Sequence, residues 1–181
     1  MNWLILIAVL ALLIALPVLR RWIAPPSRPT TGPQVLGDAE AWQVQGIKAA
    51  QEFFLQVPSL LPDATVLYLE GSPTPDVVQF LRSHAEQTDY GGPIGTIWSW
   101  PPNERYSLRA TPELFAGIAD LATRHAVPEL CSHLHFYRQE EPLANWFDAF
   151  DDPFLISRTI PRERVDQFCT ALAATVSEAS A

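Results

Sequence analysis

The sequence predicts an α+β domain held behind an N-terminal transmembrane helix, and three observations carry that prediction. The first nineteen residues contain no charged side chain, and from Trp3 to Leu19 every residue is apolar, with Pro17 as the mild break. Between residues 63 and 138, β-rich runs alternate with helix starts marked by a capping residue, a proline and an acid. A proline-rich stretch separates these two regions.

At about 1.5 Å of rise per residue, the run from Trp3 to Leu19 spans roughly 26 Å, the short end of what a bilayer core demands. It defines an anchor over residues 1–23. Arg20, Arg21 and Arg28 follow the run, whereas Met1 and Asn2 precede it. Arginines stay on the cytoplasmic side, so the expected topology is single-pass with the C-terminal domain in the cytoplasm. The rival is a cleaved signal peptide, which needs a basic leading region and small residues at a cleavage site, and both are missing here. Residues 24–37 hold Pro25, Pro26, Pro29 and Pro33 and predict an extended spacer of about 3 Å per residue.

Charge divides at the same place. All 20 acidic residues and nine of the 12 basic ones lie from Asp38 onward, which leaves −11 on residues 38–181 and +3 on the first 37. An acidic domain is repelled by phosphate backbones, so nucleic acid is not an expected partner. Cys131 and Cys169 are the only cysteines and are expected as free thiols, with one disulfide between them left open.

The acidic domain reads in order as follows. Asp38 is a candidate N-cap, and Trp42, Ile47, Ala50, Phe53, Phe54 and Val57 recur at roughly helical spacing, predicting a helix over 38–57 and a connection to residue 62. Thr65 to Glu70 is a strand closed by Gly71-Ser72-Pro73, and Thr74-Pro75-Asp76 opens a helix over 75–87. Residues 95–100 and 105–110, separated by Pro101-Pro102-Asn103-Glu104, read as a hairpin. Thr111-Pro112-Glu113 repeats the helix-start pattern and leads a helix to near His125, after which Cys131 to Arg138 is a strand. The order β-α-β-β-α-β is that of a ferredoxin-like sandwich, with two helices on one face of an antiparallel sheet, as the core over 63–138. A C-terminal extension over 139–181 adds a short helix around Trp146, Phe147 and Phe150, a strand over 153–160, a helix from Pro161 and a frayed tail from Ser177. No internal repeat is visible.

Alternation along the strands places a candidate site. Leu134 and Phe136 point one way, and Cys131, His133, His135 and Tyr137 the other. In ferredoxin-like pairing this strand neighbours the first, where Leu67 and Leu69 face inward and Val66, Tyr68 and Glu70 outward. Tyr68, Glu70, His133 and His135 then share one surface. The hairpin adds Trp98, Trp100, Arg105 and Arg109, residue types enriched at binding hot spots. Terminal segments folding over this face and burying it is the alternative account. Cys131, His133 and His135 are the weak candidates for a metal, since alternate strand residues can place two imidazoles on one ion. His-Glu-x-x-His and Cys-x-x-Cys patterns are absent from the sequence. The acidic stretch from Glu140 to Asp152 reads as solvated loop charge, and His84 and His125 as caps of helix C-terminal ends.

These features lead to an expected function of binding without catalysis: a membrane-anchored protein whose cytoplasmic domain takes a protein or small ligand and needs no cofactor. The alternatives are a metal-assisted hydrolase centred on His133, His135 and Glu70, and an immunity-like inhibitor whose negative charge matches a basic toxin.

Overall fold

The computed structural model describes residues 35–37, 40–88, 103–139 and 141–178. The expected anchor, nearly all of the spacer, and the 95–100 strand with Trp98 and Trp100 lie outside the described residues. Among those described, no helix is long and apolar enough to cross a membrane. The described elements all lie within Gly32–Ala181.

Helix and sheet are mixed, as predicted. The strands are β1 (Ala41–Gln45), β2 (Val66–Gly71), β3 (Ala85–Thr88), β4 (Glu104–Arg109), β5 (His133–Arg138), β6 (Glu141–Trp146), β7 (Phe154–Ser157) and β8 (Thr175–Glu178). The helices are α1 (Ala50–Leu60), α2 (Pro75–His84), α3 (Pro112–Leu121), the single-turn α4 (Val127–Leu130) and α5 (Arg162–Ala171). All described strands form one sheet in the order β3-β4-β2-β5-β6-β7-β1-β8, antiparallel at every step.

That order contains two halves with one wiring. In the half β3-β4-β2-β5, the strand–helix–strand unit β2-α2-β3 is split by β4, and β4-α3-β5 is split by β2. In the half β6-β7-β1-β8, β7-α5-β8 is split by β1, and β1-α1 reaches across the whole first half to β6, with β7 between them. The halves meet at the β5–β6 pair, where Gln139 turns the chain at φ 59°. The second half therefore repeats the strand–helix order and the sheet order of the first, with the first inserted between α1 and β6.

The apolar faces of α1, α2, α3 and α5 bury against one side of this sheet in a continuous core. Phe53, Phe54, Val57 and Leu60 of α1 are completely buried, as are Leu67 of β2, Leu134 and Phe136 of β5, and Phe154 and Ile156 of β7. Thr111 caps α3 by accepting a hydrogen bond from the Leu114 amide at 3.2 Å. Pro112 and Pro75 occupy first-turn positions of their helices, where the missing N–H costs nothing.

Four elements differ from the sequence expectation. The predicted helix over 75–87 ends at His84, and Ala85–Thr88 is strand β3, which pairs with β4 on the side opposite β2, where the hairpin reading expected residues 95–100. The predicted helix over 38–57 is strand β1 followed by α1, because Ala41 to Val44 pair with Phe154 to Ser157 on one side and Trp42 to Gln45 with Thr175 to Glu178 on the other. Pro58 does not stop α1; it sits in the last turn, where it forfeits one backbone hydrogen bond. The predicted helix around Trp146 is the end of β6 and a tight turn, with Asp148 at φ 40° and Phe150 at φ 76°. Pro142 sits where the β5–β6 register shifts, a bulge position that tolerates the lost donor. The tail expected to fray from Ser177 is held by pairing of β8 with β1.

Candidate functional site

The end of β2 sets the register of the site. A Cβ on Gly71 would lie 3.0 Å from both Cys131 Cα and Ser132 N, so any side chain at this crossing would push the two backbones apart by a few tenths of an ångström. At that crossing Ser132 N donates to Glu70 O at 2.8 Å, which starts β5 so that Glu70 faces His133, Tyr68 faces His135 and Val66 faces Tyr137. On the other side of β2, Glu70 faces Arg105, Tyr68 faces Ser107 and Val66 faces Arg109. Residues directly opposite in an antiparallel sheet share a face. Tyr68, Glu70, Arg105, Arg109, His133 and His135 therefore lie on the side of the sheet away from the helices, while Leu67, Leu69, Tyr106, Leu108, Leu134 and Phe136 join the core.

This face is buried where the chemistry is densest. Glu70 and His135 have no exposed surface, Tyr137 has none, and His133 is 3% exposed. Glu70 Oε1 accepts from Asn103 Nδ2 at 3.2 Å, and Asn103 Oδ1 in turn accepts from Ser72 Oγ at 2.9 Å. His133 Nδ1 accepts from the Asp148 amide at 3.0 Å. That bond requires a bare Nδ1 and puts the proton of the neutral ring on Nε2. Asp148 Oδ1, 3.8 Å from the same nitrogen, is accordingly no ion-pair partner. Arg109 is exposed and pairs with Glu86, its Nη2 at 2.9 Å from Oε1. Arg105 Nε is buried without a hydrogen-bond partner among the described residues.

His135 stands apart from these. Both of its ring nitrogens are buried and neither has a hydrogen-bond partner among the described residues. Burial, reinforced by the neighbouring His133, pushes its pKa down to about 3, so the ring is uncharged across the physiological range. Phe147 stands edge-on to it at a centroid distance of 4.9 Å. Across the β5–β6 seam its register partner is Asn145, also fully buried, whose Oδ1 accepts from Leu36 N at 3.3 Å and whose Nδ2 has no partner among the described residues. Each unsatisfied buried group costs about 1–3 kcal/mol, so the pair is a concentrated defect.

Cys131 does not belong to this face. Strand β5 begins at His133, and Cys131 lies at the end of α4 with its thiol in the apolar core, where burial pushes its pKa up to about 12. The trio Cys131, His133 and His135 therefore does not converge on one point. Among the described residues, no group of three His, Cys, Asp or Glu side chains is arranged to hold a metal. Both cysteines are free and buried.

Sequence reasoning missed Asn145 and Phe147, because Pro142 and the surrounding carboxylates disguise β6 as a loop. It also misread His125. The ring does not cap α3; its Nε2 lies 2.7 Å from Asp76 Oδ2, and its Nδ1 lies 3.4 Å from Thr74 Oγ1. The hydrogen bond with His125 holds the Asp76 carboxyl below its usual pKa, with a second hydrogen bond from Thr74 adding to it. Because Thr74 Oγ1 donates its proton to Asp76 Oδ1 at 2.9 Å, the cluster is a clasp between α2 and the α3–α4 connection rather than an activated nucleophile. His84 does cap its helix, with Nδ1 at 2.9 Å from the Phe80 carbonyl.

Comparison with protein-family models, with curated proteins and with solved structures finds no match to this chain.

Proposed function

We propose that this chain is a single-pass membrane-anchored protein whose cytoplasmic α+β domain binds a protein or small ligand on the sheet face away from the helices, without catalysing a reaction. The observation that carries the reading is His135, a fully buried imidazole with no hydrogen-bond partner among the described residues. A buried polar group without a partner calls for a physical explanation, and a ligand that pairs it supplies one. The strand order β3-β4-β2-β5, with α2 and α3 in the common core, supports a ferredoxin-like reading of residues 66–138. The uncharged run to Leu19 supports the anchor, and Arg20, Arg21 and Arg28 behind it support the orientation. Two candidate nucleophiles are spent elsewhere: the Cys131 thiol in the apolar core and the Thr74 hydroxyl on Asp76.

Two measurements on the full-length chain test this. A reporter active only in the cytoplasm, fused after Ala181, is expected to work, and one active only outside is expected to be silent. Native mass spectrometry of the chain extracted from its own membrane in mild detergent is expected to show extra mass that is released on unfolding. An extracted chain of bare mass, or a reporter active outside, would overturn the reading.

A further inference from the structure

The described sheet ends in β3 on one side and β8 on the other, each of four residues, and the two edges are built differently. The register of β3 with β4 shifts between Ala85 and Gln87, and Glu86, which lies in that shift, pairs with Arg109. Bulges and mid-strand charges of this kind keep an edge from pairing with another chain. β8 has no such break. Its sequence Thr175-Val176-Ser177-Glu178 holds no proline, glycine or lysine, and its register with β1 runs unbroken over four residue pairs. The one charge, Glu178, stands at the last position, 3.8 Å from Arg158. Among the described residues no strand lies beyond β8, so its outer backbone N–H and C=O groups form an open row.

The side chains narrow what can cover that row. Val176 lies opposite Val44 and Glu178 opposite Trp42, on the helix side, while Thr175 and Ser177 lie opposite Gln45 and Gln43, on the other. Val176 is partly buried against the common core, and the other three are exposed. A second copy of β8 added antiparallel about a two-fold axis must set residues of one face against each other, so each possible register centres on one residue. Centring on Glu178 opposes two carboxylates, and centring on Ser177 sets Val176 against a carboxylate. Centring on Thr175 runs Ser177 into Ala173, where the chain leaves the extended conformation at φ 49°. Centring on Val176 sets valine against valine, Thr175 against Ser177 of the second copy and Glu178 against its Ala174, with no like charges opposed.

We infer that the outer edge of β8 is an interface with a second copy of this chain, paired antiparallel about a two-fold axis at Val176. The axis stands perpendicular to the sheet, so both helix layers lie on one side and the two Val176 side chains join the cores across the edge. Such a contact uses the same surface twice and closes as a dimer. The overall charge of −11 on residues 38–181 would favour a basic strand from another protein, but the edge itself offers a single acid already beside Arg158, which leaves backbone pairing and the valine contact to decide. Four strand residues a side make a small interface, and two domains of −11 repel each other, so the dimer is weak and salt strengthens it by screening. This interface is independent of the ligand reading above.

The test joins sedimentation of the full-length chain in detergent micelles with oxidative cross-linking of Val176→Cys and Ser177→Cys. Both native cysteines are buried, so the introduced thiol is the accessible one. About a Val176 axis the two 176 positions lie about 4.5–5.5 Å apart at Cα, within disulfide reach, and the two 177 positions about 8 Å apart, beyond it. Val176→Cys is therefore expected to give a covalent dimer and Ser177→Cys to stay monomeric. The wild type is expected to show a monomer–dimer equilibrium that tightens with salt. The double variant Thr175→Glu, Ser177→Glu changes two exposed positions and sets Glu against Glu twice, and it is expected to raise the dissociation constant about tenfold. A monomer at every concentration, a dimer untouched by the two glutamates, a dimer loosened by salt, or a cross-link stronger at 177 than at 176 overturns the interface. Cross-linking is read on chains that are otherwise wild type, so it stands whether or not the double variant folds.

Discussion

The two halves of the sheet share one wiring and divide the work. In the half β3-β4-β2-β5, the face away from the helices carries Arg105, Glu70, His133 and His135 in facing register. The corresponding face of the half β6-β7-β1-β8 carries Asn145, Leu155, Gln43 and Ser177 across one row, without a charge. The cores differ in the opposite sense. Around Phe53 the second half gathers Trp146, Phe150, Phe154 and Phe168, with ring centroids 4.9 to 6.1 Å apart, in tilted and edge-on pairs. The first half packs mainly aliphatic side chains, among them Leu67, Leu69, Leu108, Leu114 and Ile118. Aromatic packing of this kind adds stability beyond its buried area, and unsatisfied buried polar groups subtract it. One half thus supplies rigidity, while the other presents most of the polar groups and carries most of their cost.

The largest expected effect tests whether the halves share one core. Truncating Phe53, which is fully buried at the centre of the aromatic cluster, is expected to cost about 3–5 kcal/mol and to shift a single cooperative unfolding transition. Two separated transitions in denaturant would break the comparison, since the halves would then be independent. Next comes Gly71→Ala in the other half, where the new methyl meets backbone rather than a movable side chain. A loss of about 1–3 kcal/mol is expected, together with changed chemical shifts at His133.

Acid sharpens the contrast further. His135 stays uncharged in the folded chain down to about pH 3, whereas the unfolded imidazole takes its proton near 6.5. The unfolded state therefore binds the extra proton between these values, so stability is whole above pH 6.5 and falls toward pH 3, by about 1.4 kcal/mol per unit from this group. Equilibrium unfolding at pH 7, 6 and 5 checks the slope. The smallest effect belongs to the clasp at α2. Asp76 is exposed, its carboxyl is lowered chiefly by the hydrogen bond with His125, and what stability it adds is present above its ordinary pKa of 3.8 and lost as pH falls further. Asp76→Asn is expected barely to move the melting midpoint at pH 7, as would loss of the i,i+4 pair Arg162–Asp166 on α5 in the other half.

The first half was legible in the sequence because it is contiguous and punctuated. Thr74-Pro75-Asp76 and Thr111-Pro112-Glu113 mark two helix starts, Gly71 marks the end of the first strand, and the alternation from His133 to Tyr137 gives the faces without tertiary knowledge. From these followed the shared face of Tyr68, Glu70, His133 and His135, though not the register that sets Tyr68 opposite His135 and Glu70 opposite His133. The second half was opaque because its pairing is remote. Residues 41–45 find their partners at 154–157 and 175–178, and nothing within a local window distinguishes a short strand there from the first turn of a helix. β6 was hidden by Pro142, and with it Asn145, so half of the seam was invisible. The burial of His135 is likewise a tertiary fact; alternation assigns the face, not what covers it.

The central claim is that His135 is kept for binding at a cost to folding, and His135→Leu in the full-length chain measures it directly. By equilibrium unfolding at pH 7, with no ligand added, the account predicts a variant more stable than the wild type by about 1 kcal/mol or more, because an apolar side chain removes two unsatisfied buried nitrogens. The acid slope between pH 6.5 and 5 should flatten with it. A variant less stable than the wild type, with the acid slope unchanged, would show His135 to be an ordinary structural member of the sheet and would contradict the account.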